Sequence, residues 1–309
     1  MTAPTRATIV EVGPRDGLQN EAAALTTDEK VRFVNALAAA GHQVIEVSAF
    51  VSPTWVPQMA DAEAVFAAIE RRPGVRYTAL VPNLAGLERA LAARVDEVAV
   101  FAAATERFSA ANLNQSINQS LTRYAEVTRR ALDAGLAVRG YVSCAFGCPF
   151  EGAVAVEAVI RVTQALLDQG VYEVAVSDTI GVAQPGQVRH LVPALFAAGV
   201  PAARLALHFH DTRGTALANV LTALDLGVTT FDASAGGLGG CPFAPGASGN
   251  LATEDLVYLL DGLGVVTGVS LEGVMAASTA LAPSLAHPLR SRYVQAEQAS
   301  RNRGTPAAT

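Results

Sequence analysis

Eight short runs of strand-forming residues recur at steady intervals along this 309-residue chain, and that rhythm limits its fold more than any other feature. The runs fall at 8–12, 44–49, 76–81, 97–101, 138–143, 173–176, 205–210 and 229–233. Each is rich in Val, Ile, Leu, Tyr or Phe and is bounded by Gly, Pro, Asp or Ser, the punctuation of short strands. Helical patterns lie between them. One, at 28–40, begins behind the candidate caps Thr26 and Thr27 and stops at Gly41. Others, at 119–134, 154–169 and 215–226, stop at Gly135, Gly170 and Gly227, and 61–71 stops before Pro73. Glycine closes helices because the left-handed residue after the last turn costs least without a Cβ. Strand-then-helix units repeated in this way predict an α/β fold, a (β/α)8 TIM barrel. A doubly wound open sheet is the alternative, and the count of strands disfavours it. Extra C-terminal helices are expected, one at 271–282, with a polar, Ala-rich tail from about residue 295 that reads as fraying. No linker interrupts the chain, so residues 1–309 read as a single catalytic domain.

Composition narrows the partners. Hydrophobic residues make up 51% and charged residues 16%, which excludes disorder over most of the length. Lys and Arg number 22 against 28 acidic residues, for a net charge of -6, and no basic cluster stands out. A nucleic-acid partner needs such a cluster and is not expected. The apolar stretches are broken by Gly, Pro or charge before membrane-spanning length. No leader or transit pattern precedes the first strand, so a soluble, cytoplasmic protein is expected. Cys144, Cys148 and Cys241 are odd in number and uneven in spacing, which reads as thiols in a reducing compartment rather than a disulfide framework.

In a TIM barrel the chemistry sits at the C-terminal ends of the strands. Polar residues gather at that end of several runs here: Arg15 and Asp16, Glu46, Asp178, then His208, His210 and Asp211, and lastly Cys241 and Asn250. Residues two apart on a strand share a face, so His208 and His210 both look into the barrel mouth. Asp16 can reach the same axis. Two imidazoles, a carboxylate and an amide oxygen suit a six-coordinate divalent cation, Mg²⁺ or Mn²⁺. Without a thiolate or third histidine a tetrahedral structural zinc is disfavoured. Taken alone, the His-x-His pair also fits two strand histidines satisfied by their neighbours. Arg15 fits a solvated ion pair or a cation placed against a developing oxyanion. Cys241 lies in a Gly-rich loop that matches neither a phosphate-binding loop nor a dinucleotide fingerprint. It reads as a proton-transfer thiol on a mobile lid, or as an incidental cysteine of the kind that oxidation makes costly. Cys144 and Cys148 read as packing residues.

Six segments carry a resemblance: 12–21 (VGPRDGLQNE), 44–59, 139–152, 177–181 (SDTIG), 208–219 and the long Cys-containing stretch 236–260. From near residue 8 to about residue 270 the chain resembles the hydroxymethylglutaryl-CoA lyase family of metal-dependent barrel lyases and synthases. The Cys-containing stretch separates that lyase branch from the synthases. The resemblance implies cleavage of 3-hydroxy-3-methylglutaryl-CoA to acetyl-CoA and acetoacetate. It implies that Asp16, His208, His210 and Asn250 hold the cation, that Arg15 stabilises the thioester enolate and that Cys241 transfers a proton. Asp16, His208 or a bound water serves as the base. Glu46, Asp178 and Glu254 hold the surrounding network, Arg139 and Asn112 help to seat the CoA thioester, and a homodimer is expected. Departures are modest: Phe209 separates the two histidines, and Arg213 follows His-Asp-Thr. The alternatives are a lyase for another 3-hydroxyacyl-CoA, a condensing synthase of the same superfamily, and a non-catalytic barrel. The synthases usually carry a regulatory domain for which this chain leaves no room, and a non-catalytic barrel is expected to lose ligands that this chain retains.

Overall fold

Strand β1 (Thr8–Glu11) pairs in parallel with β2 (Val44–Ala49) on one side and with β8 (Thr230–Ala233) on the other. The sheet therefore closes on itself and leaves no edge of unpaired backbone groups. The computed structural model describes residues 4–240 and 249–303. Between β2 and β8 run β3 (Arg76–Leu80), β4 (Glu97–Ala103), β5 (Ala137–Ser143), β6 (Glu173–Asp178) and β7 (Leu205–Phe209). They stand around the barrel in chain order. The expected (β/α)8 TIM barrel is the fold that forms.

The helices on the outside are α1 (Thr27–Ala39), α2 (Ala62–Ala68), α3 (Leu84–Ala92), α4 (Glu106–Leu113), α5 (Ile117–Asp133) and α6 (Val156–Asp168). They continue with α7 (Pro185–Ala197), α8 (Ala216–Asp225), α9 (Thr253–Gly262), α10 (Leu271–Leu281) and α11 (Arg292–Arg303). Thr26 caps α1 in a capping box with Glu29, and Ser116 caps α5 with Gln119. Each box satisfies backbone donors that the first turn would otherwise leave unpaired. Pro185, Gly186 and Pro193 obscure α7 in the sequence, yet Pro185 stands in the first turn, where no N–H is needed. Helix α11 carries regular structure to Arg303, past the point at which the sequence reads as a tail. Asp255 on α9 holds its start, accepting from Ser291 Oγ and the backbone N–H groups of Arg292 and Tyr293.

Alternation along the strands decides what each side chain meets. Val138, Val142, Val174 and Val176 face the helices and join the continuous core with Val159, Val162 and Leu166 of α6. The opposite face of the same strands fills the barrel. Branched aliphatic residues usually occupy that space. Here Val10, Val12 and Val44 form only a small apolar patch. Above it Glu46, Arg139, Tyr141 and Asp232 are buried and joined by hydrogen bonds. Burying such charges is tolerable only when each meets a partner.

Candidate metal centre and active site

The first loop of the barrel presents two charged side chains on one tight turn. Gly13–Gly17 forms a single turn of π-helix in which Arg15, Asp16 and Gly17 all direct their backbone N–H to Val12 O. Such turns splay neighbouring side chains and recur at functional sites. The turn is wedged in place. A Cβ added to Gly13 would lie 2.6 Å from Glu11 Oε1, and one on Gly17 would lie 2.8 Å from Ser234 Oγ.

Arg15 is 6% exposed. Its Nε donates to Glu46 Oε2 at 2.8 Å and its Nη1 to Asp16 Oδ1 at 2.5 Å. Burial pulls the guanidinium's pKa down, and Glu46 and Asp16 more than offset it, holding the pKa above the ordinary value. Burial pushes the Asp16 carboxyl up, and the charges of Arg15, His208 and His210 outweigh it, leaving a pKa of about 2. Asp16 is therefore an anion.

Asp16, His208 and His210 bring one ligand atom each to within 4.8 Å of one another. Asn250 joins them through an isolated bridge to His210. Its Nδ2 donates to Asp16 Oδ2 at 2.9 Å and to Leu238 O at 3.0 Å. That leaves Asn250 Oδ1 buried with no hydrogen-bond partner, and His210 Nδ1 is in the same condition. Unpaired buried acceptors are costly, and a cation offers them a partner. Desolvation lowers the His210 pKa to about 4, so its ring is neutral at physiological pH and has a lone pair to give. The donor set is all oxygen and nitrogen, which fits a hard divalent cation.

The other expected site residues divide. Glu46 reaches the site, accepting from both Arg15 and Tyr141 OH. Asp178 does not present a free carboxylate. It accepts from the backbone N–H groups of Val182 and Ala183 and so shapes the turn after β6. The parity of the strand explains this: Asp178 follows Val174 and Val176 on the helix-facing side, whereas Ser177 faces inward. Glu254 likewise serves the scaffold, accepting from Gly236 N and Ser278 Oγ. Arg139 is turned into the barrel. It is 1% exposed inside the barrel, with its guanidinium directed to Glu173, Asp232 and Tyr141. Asn112 sits half-buried on α4, and the left-handed turn residue there is Asn114, at φ 53. Cys241 lies outside the described residues. Cys144 and Cys148 are buried, and Thr105 Oγ1 donates to Cys148 Sγ, in keeping with packing residues.

Three participants escape a motif-based reading. Asp232 on β8 lies 3.1 Å from His208 Nδ1. Tyr141, two residues after Arg139, links Arg139 to Glu46. Glu11 is fully buried and accepts from Gly13 N, Ala235 N and Thr253 Oγ1, tying the first loop to the last. The available signal was an acid or phenol at alternate positions of an apolar strand, where burial demands a partner.

The HMGL-like family model matches residues 6–281. The mitochondrial hydroxymethylglutaryl-CoA lyase of Bos taurus is 50% identical over 295 residues, covering 96% of this chain and 90% of that protein. The crystal structure of hydroxymethylglutaryl-CoA lyase from Pseudomonas aeruginosa superposes with a TM-score of 0.94 at 49% identity, over 97% of this chain and 100% of that one. An HMG-CoA lyase from Acinetobacter baumannii, solved with coenzyme A and 3-methylmalate, gives a TM-score of 0.90 at 37% identity, over 100% and 99% of the two chains. Among the described residues no helix is long and apolar enough to cross a membrane.

Proposed function

The chain belongs to the HMGL-like family, and from that premise we infer that it is a carbon–carbon lyase. It cleaves 3-hydroxy-3-methylglutaryl-CoA into acetyl-CoA and acetoacetate. The observation that carries this reading is the convergence of Asp16, His208 and His210 beside a buried Arg15 at the mouth of the barrel.

Asp16, His208, His210 and Asn250 are the ligands in this reading, and Mg²⁺ or Mn²⁺ is the ion that their donor atoms suit. The bound cation supplies Lewis-acid polarisation of the substrate's tertiary hydroxyl. The chain's own residues do the rest. A base, Asp16, His208 or a bound water, takes the hydroxyl proton as the C2–C3 bond breaks, and Arg15 meets the thioester oxygen, where negative charge gathers. Glu46 and Asp16 hold the guanidinium in place beforehand, so little reorganisation is needed when that charge appears. Cys241 returns a proton to the enolate carbon, which completes acetyl-CoA. Asp178 shapes the turn after β6, Glu254 holds Gly236 after the end of β8, and Arg139 lies buried within the barrel. A homodimer belongs to the same reading and is tested by light scattering on the purified protein.

The deciding assay is acetoacetate release from 3-hydroxy-3-methylglutaryl-CoA, before and after EDTA and again after Mg²⁺ or Mn²⁺ is restored. Release that EDTA abolishes and the cation restores is expected. Folded protein that releases none under either ion would overturn the substrate assignment. A panel of other 3-hydroxyacyl-CoA thioesters would then identify the substrate.

A further inference from the structure

His208 meets a carboxylate on the side turned away from the candidate cation. Its Nδ1 lies 3.1 Å from Asp232 Oδ2, while its Nε2 faces Asp16 Oδ2 at 4.0 Å. Asp232 is 2% exposed and is itself held fast. Arg139 donates from Nη2 to its Oδ1 at 2.7 Å and from Nη1 to its Oδ2 at 3.3 Å. The bonds continue from Arg139 to Tyr141 OH, from Tyr141 OH to Glu46, from Arg15 Nε to Glu46 and from Arg15 Nη1 to Asp16. They thus run inside the barrel from one cation-facing residue to another.

A neutral imidazole carries one N–H and one lone pair. An ionised carboxylate only accepts, so the nitrogen beside Asp232 must bear the proton. Arg139 keeps Asp232 ionised, because a buried guanidinium stabilises the carboxylate next to it. We propose that Asp232 is a positioning residue that holds His208 as the Nδ1–H tautomer and aims its Nε2 lone pair at the cation, with Arg139 fixing Asp232 in turn. This rests on the reading of Asp16, His208 and His210 as cation ligands. The competing account makes Asp232 only a counter-ion for Arg139, with no influence on His208. Outer carboxylates that orient a ligating histidine typically contribute ~10–100-fold to metal affinity.

Mn²⁺ binding to the full chain, read by electron paramagnetic resonance of the free ion, separates the two accounts without an activity assay. Asp232→Asn, folded by circular dichroism, is expected to weaken Mn²⁺ binding by ~10–100-fold. Glu173→Gln also removes a carboxylate from Arg139, at Nε, but leaves His208 untouched, and is expected to bind Mn²⁺ as the parent does. Parental affinity in folded Asp232→Asn, or equal losses in both variants, would overturn the proposal. If Asp232→Asn does not fold, the unmutated protein decides the matter. Its five histidines are few enough for imidazole ¹⁵N spectra with Mg²⁺ bound, His208 being assigned by His208→Gln. A proton on Nδ1 and none on Nε2 is expected, and the reverse overturns the assignment. Parent protein that takes up no Mn²⁺ sinks the cation site and this proposal together. Parent binding with an unaffected Asp232→Asn sinks the positioning role alone.

Discussion

Arg15 Nε donates to Glu46 Oε2 at 2.8 Å across the mouth of the barrel, joining the turn after β1 to the face of β2. Glu46 is fully buried, and desolvation raises its pKa while Arg15 pulls it down. The pair is a rigid mount. The guanidinium lies 5.6 Å from the centre of the Tyr141 ring, so its plane is limited from a second side.

Replacing Arg15 with Gln should leave the barrel folded and remove the preorganised cation. Loss of one such electrostatic donor typically costs ~100–1000-fold in rate. Steady-state turnover on 3-hydroxy-3-methylglutaryl-CoA, with circular dichroism as the check on folding, tests this. A folded variant with parental turnover would remove Arg15 from the chemistry.

Asp16 is the anion among the proposed ligands, and it is held at a pKa of about 2. Asp16→Asn keeps the size and discards the charge. Mn²⁺ affinity should fall by more than about tenfold, or about 1.4 kcal/mol, and turnover should fall with it. Titration calorimetry with Mn²⁺ measures the first effect, and unchanged affinity would exclude Asp16 as a ligand.

Cys241 lies outside the described residues, and its proposed work is proton transfer alone. Cys241→Ala should therefore keep parental Mn²⁺ affinity and thermal stability while turnover falls by ~10²–10⁴-fold, the usual share of a general acid or base. Parental turnover in this variant would assign the proton to another group.

Gly249, next to Asn250, adopts φ +92, and a Cβ there would lie 2.2 Å from Gly239 O. Gly249→Ala must strain its own backbone and push Gly239 away. The strained backbone should cost about 1–3 kcal/mol, visible as a lower melting temperature. Mn²⁺ binding should weaken too, because Asn250 follows directly in the chain. Parental values for both would show that this crossing of backbones is not tight.

Glu11 predicts a pH dependence. Burial is the largest influence on its carboxyl and raises the pKa from 4.5 to about 8, against the hydrogen bonds from Thr253, Ala235 and Gly13. The folded state therefore favours the protonated acid. Its contribution to stability is complete below pH 4.5 and is lost as pH rises toward 8. Glu11→Gln cannot titrate and should not show that loss. Denaturant midpoints for the two proteins at pH 5 and pH 8 should show the parent weakening relative to Glu11→Gln at the higher pH. A gap that does not change with pH would mean that Glu11 is ionised in the folded protein.

The sequence by itself determined the strand intervals, the glycine-closed helices and the closed barrel they imply, because alternation and helix termination are local properties of the backbone. It also determined that His208 and His210 share a face, since residues two apart on a strand must, and it placed Arg15 and Asp16 at the same end. Only the tertiary structure decided which polar residues meet. Ser177 and Asp178 are neighbours, yet the register of β6 in the closed barrel sends Asp178 toward its own turn. Arg139 reads as a substrate contact until the barrel closes around it and gives its guanidinium to Glu173, Asp232 and Tyr141. Asp232 carries no motif, and its partner His208 lies on the adjacent strand, 24 residues earlier in the chain. The physical reason is burial: in a closed barrel a charged side chain must find its partner across the sheet, and sequence spacing does not specify that distance.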